Sequence, residues 1–137
     1  MPTTFRKEER LCYSSLISKL FAEGDSFFCY PFKVIWLLLP ADGEDALPQV
    51  MISVPKKKHK RANKRNLLKR RSREAYRLNK DGLLEMMAGS GRKLIFALIY
   101  TESLLLEYPA FDSSLKNVVS KFKSKVSRVL TQVSSYD

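Results

Sequence analysis

Lys56-Lys57-Lys58-His59-Lys60-Arg61-Ala62-Asn63-Lys64-Arg65-Asn66-Leu67-Leu68-Lys69-Arg70-Arg71-Ser72-Arg73-Glu74-Ala75-Tyr76-Arg77-Leu78-Asn79-Lys80 sets the architecture of this chain. From Ala62 to about Asn79 it reads as a helix, stopped by Asp81-Gly82. At 100° per residue, Asn66, Lys69, Arg70, Arg73, Arg77 and Lys80 share an arc of about 100°. Leu68, Ser72 and Ala75 fall on the opposite side, flanked by Leu67 and Tyr76. One face must therefore pack on a body, and the other presents a cationic ridge roughly 20 Å long. Arginine forks on such a ridge hold phosphates bidentately, and an asparagine both donates and accepts.

The rest of the chain supplies that body. It has 137 residues, 45% of them hydrophobic, enough for one domain with a modest core. The formal charge is +11, and Pro55 to Lys80 accounts for all of it, with 13 bases and one acid, Glu74. The remainder carries 12 bases and 13 acids and is nearly neutral. A concentration of like charge repels itself unless a polyanion meets it, and nucleic acid is the natural one. An anionic membrane competes, but the segment lacks the Trp, Phe and Leu face of interfacial helices. The longest apolar run, Val34 to Leu39, is far short of a membrane span. The N-terminal residues show no secretory signal, so we expect a cytoplasmic protein. Cys12 and Cys29 are too few for a disulfide framework and lack zinc spacing; they read as buried or half-buried thiols.

Ahead of the basic segment, Tyr13, Leu16, Ile17, Leu20 and Phe21 recur at helical spacing within Lys7 to Phe21, and Gly24 is a stop suited to the left-handed conformation. Phe27 to Leu39 is aromatic and β-branched and reads as a strand, with Pro31 near its start or in a turn that splits it. Ala41 to Asp45 is a loop, and Gln49 to Val54 is a second strand, which we expect to pair with the first as a hairpin. After the basic helix, Gly89-Ser90-Gly91 is a turn and Lys93 to Thr101 the clearest buried strand. A last helix, capped by Asp112 or Ser113, carries the stripe Leu115, Val118, Val119, Phe122, Val126, Val129 and Val133, and residues 134–137 fray. The pattern predicts a single α+β domain over residues 1–137, with about four strands in a mixed sheet, three helices and one sheet face partly open.

The basic segment also carries a resemblance. Arg65-Asn66, Lys69-Arg70 and Arg73-Glu74-Ala75-Tyr76-Arg77 resemble the signature of the bacterial ribonuclease P protein subunit. Ser53-Val54-Pro55-Lys56-Lys57 is similar to that family's strand end and basic turn, and Leu20-Phe21-Ala22-Glu23-Gly24 to the end of its first helix. Motifs cover roughly Phe5 to Lys80; beyond that the likeness is one of element order. Leu67 stands where the family has an arginine, Ile17 where it has an aromatic, and the loop before the signature helix is a residue longer, near Lys58.

The resemblance implies a fold like the second domain of ribosomal protein S5, with a left-handed βαβ crossover. It implies a protein subunit that binds the catalytic RNA and aids removal of the 5′ leader from precursor tRNA. The RNA would carry the catalysis with Mg²⁺, and the protein would hold no cofactor or metal and no catalytic side chain. RNA binding would then fall to Arg65, Asn66, Lys69, Arg70, Arg73 and Arg77, and leader binding to Phe21, Phe28, Tyr30, Lys56 and Lys57. Exposed aromatics stack on bases with little sequence preference; Phe32 reads as core. The lone His59 reads as a solvent or RNA contact, and Asp42, Glu44 and Asp45 as a solubilising loop. The partners expected are ribonuclease P RNA and precursor tRNA, with no membrane and no DNA. A structural, ribosomal-type RNA-binding protein is the alternative; a DNA-binding module is disfavoured because no second helix joins the basic one by a short turn.

Overall fold

The computed structural model describes residues 5, 7–41 and 47–134, with side chains to residue 130. Asp42, Glu44 and Asp45, the side chain of Val133, and residues 135–137 lie outside that description. A 3-10 turn, Lys7–Glu9, precedes helix α1 (Ser14–Glu23). Strands β1 (Asp25–Cys29), β2 (Phe32–Pro40) and β3 (Gln49–Ser53) follow, then α2 (Ala62–Asn79), α3 (Asp81–Met87), β4 (Arg92–Tyr100) and α4 (Tyr108–Ser134). The α+β class holds. The third expected helix, the last, is joined by a short fourth, α3, in a stretch whose sequence is ambiguous.

The sheet order is β1-β2-β4-β3. The aromatic run is split at Tyr30-Pro31, so β1 and β2 form the hairpin. The expected pairing of the second strand with the first is wrong: β4 inserts antiparallel to β2 and parallel to β3. Burial explains the exchange. Leu94 to Leu98 are all buried, on both faces of the sheet, which only a central position provides, while β3 is a short edge strand. The first helix begins one to two turns later than its apolar spacing suggests, and α4 begins a turn before its expected cap.

Even-numbered residues of β2, β3 and β4 (Phe32, Val34, Trp36, Val50, Leu94, Phe96, Leu98, Tyr100) meet α2, α3 and α4 in the main core. Phe96 and Phe122 sit edge to face at 4.8 Å, and Tyr100 stacks on Phe111 at 5.6 Å. Odd-numbered Ile95 and Ala97 on the other face pack with Leu11 and Leu20, joined by Ile17, Ile35 and Leu37 under α1. Gly24 adopts φ −72° and ψ 152°, extended rather than left-handed. Its role is space, because a Cβ there would stand 2.5 Å from Leu20 O and 2.9 Å from Trp36 O.

The hydrogen bonds give the hand of the β3–α2–β4 crossover. Thr101 N–H donates to Pro31 O, so odd residues along β4 turn their peptide groups toward β2 and even ones toward β3. Leu11 N–H donates to Val50 O, so even residues of β3 turn outward. In an L-residue strand running upward, a side chain facing the viewer puts its peptide groups to the right. Seen from the helices on the even face, β3 therefore lies to the right of β4. The connection crosses in front and leftward, a left-handed unit of the rare kind.

A buried ion pair ties the N-terminal segment to the end of α2. Lys80 Nζ donates to Glu9 at 2.7 and 2.8 Å, with both side chains nearly inaccessible. Glu9→Gln removes the carboxylate from a buried ammonium and should cost roughly 3–5 kcal/mol in urea denaturation. A loss under 1 kcal/mol would show that the pair contributes little to the fold.

Candidate nucleic-acid interface

Helix α2 docks through Leu68, Ser72, Ala75 and Tyr76, all buried. The Ser72 hydroxyl is satisfied within the helix, donating to Leu68 O at 2.8 Å. Tyr76 lies edge-on to Phe96 and to Phe5, and burial pushes its phenol pKa far up. This strip leaves Asn66, Arg70 and Arg73 exposed and Lys69 half-exposed, as the helical projection requires.

Three basic residues depart from a plain ridge. Arg65 is fastened to the preceding loop, one guanidinium nitrogen donating to His59 O at 2.9 Å and Lys60 O at 2.8 Å. Arg77 pairs with Glu74 one turn back; the Arg77 guanidinium holds the Glu74 carboxyl below the usual range. Lys80 is not on the ridge at all. It is the residue between α2 and α3, where the projection ends, and it turns inward to Glu9. The ridge cations of α2 without a salt bridge among the described residues are therefore Lys69, Arg70 and Arg73, continued by the exposed Lys60 and Arg61.

The basic turn sits at the C-terminal end of β4. Lys56 and Lys57 are exposed, while Lys58 Nζ donates to Thr101 O. His59 is buried against Tyr100, its Nε2 2.7 Å from Glu102 O. The expected solvent or RNA role of His59 is thus replaced by a structural one that anchors the loop. Tyr30 closes the same corner by donating to Glu102 Oε2 at 2.6 Å. That bond, with backbone donors behind it, lowers the Glu102 carboxyl pKa and raises the Tyr30 phenol.

The aromatic candidates separate cleanly. Phe32 is core, whereas Phe21, Phe28 and Tyr30 are 49%, 53% and 55% exposed. Phe28 and Tyr30 are in ring contact at 6.5 Å. Phe21 stands on α1, on the sheet face that also carries Phe28. The pairings place Phe28, Lys33, Ile99 and Ser53 in one row across all four strands, with Ile99 packed against the cluster under α1. Lys33, an exposed base within an apolar strand, was not singled out from sequence; its odd position in a run of period 2 is the signal that would have found it. Cys29 is buried as expected, but Cys12 is exposed. Among the described residues no group of three or more His, Cys, Asp or Glu is placed to hold a metal, and no helix is long and apolar enough to cross a membrane.

A left-handed βαβ unit whose crossover helix is a cationic ridge, beside a sheet face with exposed aromatics and a lysine turn, defines a small α+β protein with surfaces suited to nucleic acid. Known proteins agree. The family model described as Ribonuclease P matches residues 5–123. The ribonuclease P protein component of Porphyromonas gingivalis ATCC 33277 is 38% identical over 112 residues, 80% of this chain and 79% of that protein. The structure is similar to the ribonuclease P protein of Thermotoga maritima (TM-score 0.63, 24% identity, 82% of this chain and 96% of that one). It is also similar to that of Staphylococcus aureus (TM-score 0.60, 21% identity, 84% and 95%). The chain belongs to the bacterial ribonuclease P protein family, and is a protein subunit of that tRNA-processing endoribonuclease, with RNA as its partner.

The corner geometry makes a prediction. Tyr30→Phe removes the hydroxyl that holds the Glu102 carboxyl down, so the Glu102 pKa should rise toward its ordinary value in an NMR titration. The depressed carboxyl stabilises the wild type above its unfolded pKa, an effect lost as pH falls through the folded value. An unchanged Glu102 titration would mean that the Tyr30 bond is not formed in solution.

Proposed function

We propose that the exposed face of α2 binds the catalytic RNA of ribonuclease P, and that the open sheet face with the Lys56–Lys57 turn holds the single-stranded 5′ leader of precursor tRNA. The observation that carries this reading is the separation of two unlike surfaces on one small body. Lys69, Arg70 and Arg73 project from a helix with no carboxylate salt-bridged to them among the described residues, which suits folded RNA. Phe28, Tyr30 and Lys33 line a surface with stacking rings and a cation, which suits an unpaired strand. Arg65 acts chiefly by fixing the basic loop, and Arg77 contributes less charge because Glu74 opposes it. Phe21 supplies a further ring at the end of α1. In this reading the RNA carries the cleavage with Mg²⁺, and the protein holds and positions without a cofactor of its own, in the cytoplasm.

The test is reconstitution. A bacterial ribonuclease P RNA with precursor tRNA at low Mg²⁺ should cleave at the mature 5′ end when this protein is added, and the protein alone should cleave nothing. RNA binding with unchanged cleavage would favour the structural, ribosomal-type reading. Sustained cleavage by RNA-free protein would overturn the assignment of catalysis to RNA. Phe28→Ala should weaken binding of leader-bearing precursor by about tenfold and leave binding of leaderless tRNA unchanged. An equal effect on both substrates would remove the ring from the leader path.

A further inference from the structure

Two hollows lie along the outer edge of β3, where the N-terminal segment meets it. One, of about 220 Å³, is lined by Phe5, Arg10, Met51 and Arg73 among others. The second, of about 440 Å³, is lined by Lys7, Glu8, Arg10, Cys12, Tyr13 and Gln49. Arg10 and Cys12 line both, so they form one groove from the α2 ridge to the start of α1. The larger hollow lies within the roughly 300–1,000 Å³ typical of small-ligand sites.

The groove is built rather than incidental. The backbone at Arg10 bridges to Val50, and Leu11 N–H donates to Val50 O at 3.0 Å, so the N-terminal segment is stitched to the sheet edge. The buried Glu9–Lys80 pair fastens it from behind. The Arg10 guanidinium is held over the Phe5 ring at 5.5 Å. Gln49, nine-tenths buried, closes one wall, its side-chain amide donating to Glu8 O at 3.0 Å. Tyr13 stands at the other end with 67% exposure. The lining cations are Lys7, Arg10 and Arg73 against the single carboxylate of Glu8, and no salt bridge joins Arg10 or Arg73 to a carboxylate among the described residues.

We infer that this groove seats an unpaired nucleotide of bound RNA, its base on the Tyr13 ring and its phosphate between Arg10 and Arg73. The inference rests on the reading of α2 as an RNA-binding ridge, since Arg73 belongs to both surfaces. A duplex does not suit the place. The site is a hollow rather than a groove-spanning ridge, and an exposed ring beside two cations recruits a base only when that base is free to leave its stack. The groove extends the ridge along the β3 edge, so RNA contacts run from the end of the sheet, along α2, to the first turn of α1.

The test uses the full chain and a short fluorescent oligouridylate, followed by anisotropy over a range of salt. Tyr13→Ala should weaken binding about tenfold with an unchanged salt slope, while Tyr13→Phe binds as wild type. Arg10→Gln should weaken binding and lower the logarithmic salt slope by about 0.7, one phosphate contact on a single strand. Cys12 gives a readout without mutation: it is exposed in the groove while Cys29 is buried, so saturating oligouridylate should slow its alkylation by iodoacetamide. If Tyr13→Ala binds as wild type and Cys12 alkylates at the same rate with and without oligouridylate, while Arg70→Gln weakens binding of a folded ribonuclease P RNA, the groove is not a nucleotide site and the ridge stands. If Arg70→Gln leaves binding of that folded RNA unchanged as well, the ridge reading falls and takes this inference with it.

Discussion

The structure depends on one docking contact: the strip Leu68, Ser72, Ala75 and Tyr76 of α2 against the core it shares with α4 and the sheet. A helix this basic has no reason to stay with a neutral body unless its narrow apolar side is buried completely. The strip achieves this with one large ring and three smaller side chains, all inaccessible. The azimuth of the strip then fixes where the cations point. Because α2 joins β3 to β4, the same contact sets the parallel pairing of those strands and the left-handed crossover. The ridge is thus held at a definite angle to the sheet, so the exposed cations of α2 and the exposed ring of Phe28 lie on opposite sides of the sheet.

The second constraint is the tethering of irregular segments at the two ends of α2. At its start, Arg65 holds the loop carbonyls, and His59 and Lys58 hold the junction after β4. At its end, Lys80 is drawn out of the solvent by Glu9. Some cations of the basic run are consumed in building the structure, and the charge left for a partner is smaller than the sequence total and better placed. A buried ion pair is an expensive way to fix a terminus, since both ions lose their water. Here it ties the N-terminal segment to the end of α2, and Arg10, the next residue, lines the same hollow as Arg73.

Local features of this fold were legible in the sequence, and pairings were not. The amphipathic spacing of α1, the faces of α2 and the buried run of β4 all follow from periods set by backbone geometry. The insertion of β4 between β2 and β3 is a long-range choice that no local period records; only the unbroken apolarity of Leu94 to Leu98 hinted at a central place. Helical projection placed Asn66, Lys69, Arg70 and Arg73 correctly because they lie within the helix. It misplaced Lys80 because the helix ends there. The interior role of His59 was hidden by its neighbours: a histidine among lysines looks solvated, and its burial comes from Tyr100 and Glu102, more than forty positions away. The open-face aromatics could be named, but only the strand register shows that Phe28 shares a row with Lys33.

The most direct measurement is the salt dependence of binding between this protein and a ribonuclease P RNA, for wild type, Arg70→Gln, Arg73→Gln and Lys123→Gln on α4. With about six phosphates neutralised, affinity should fall about a thousandfold between roughly 50 and 200 mM salt. The two α2 variants should each lower the logarithmic slope by about 0.9, and Lys123→Gln should leave it unchanged. A flat salt response, or equal effects from all three substitutions, would contradict the claim that the exposed face of α2 directs its charge at RNA.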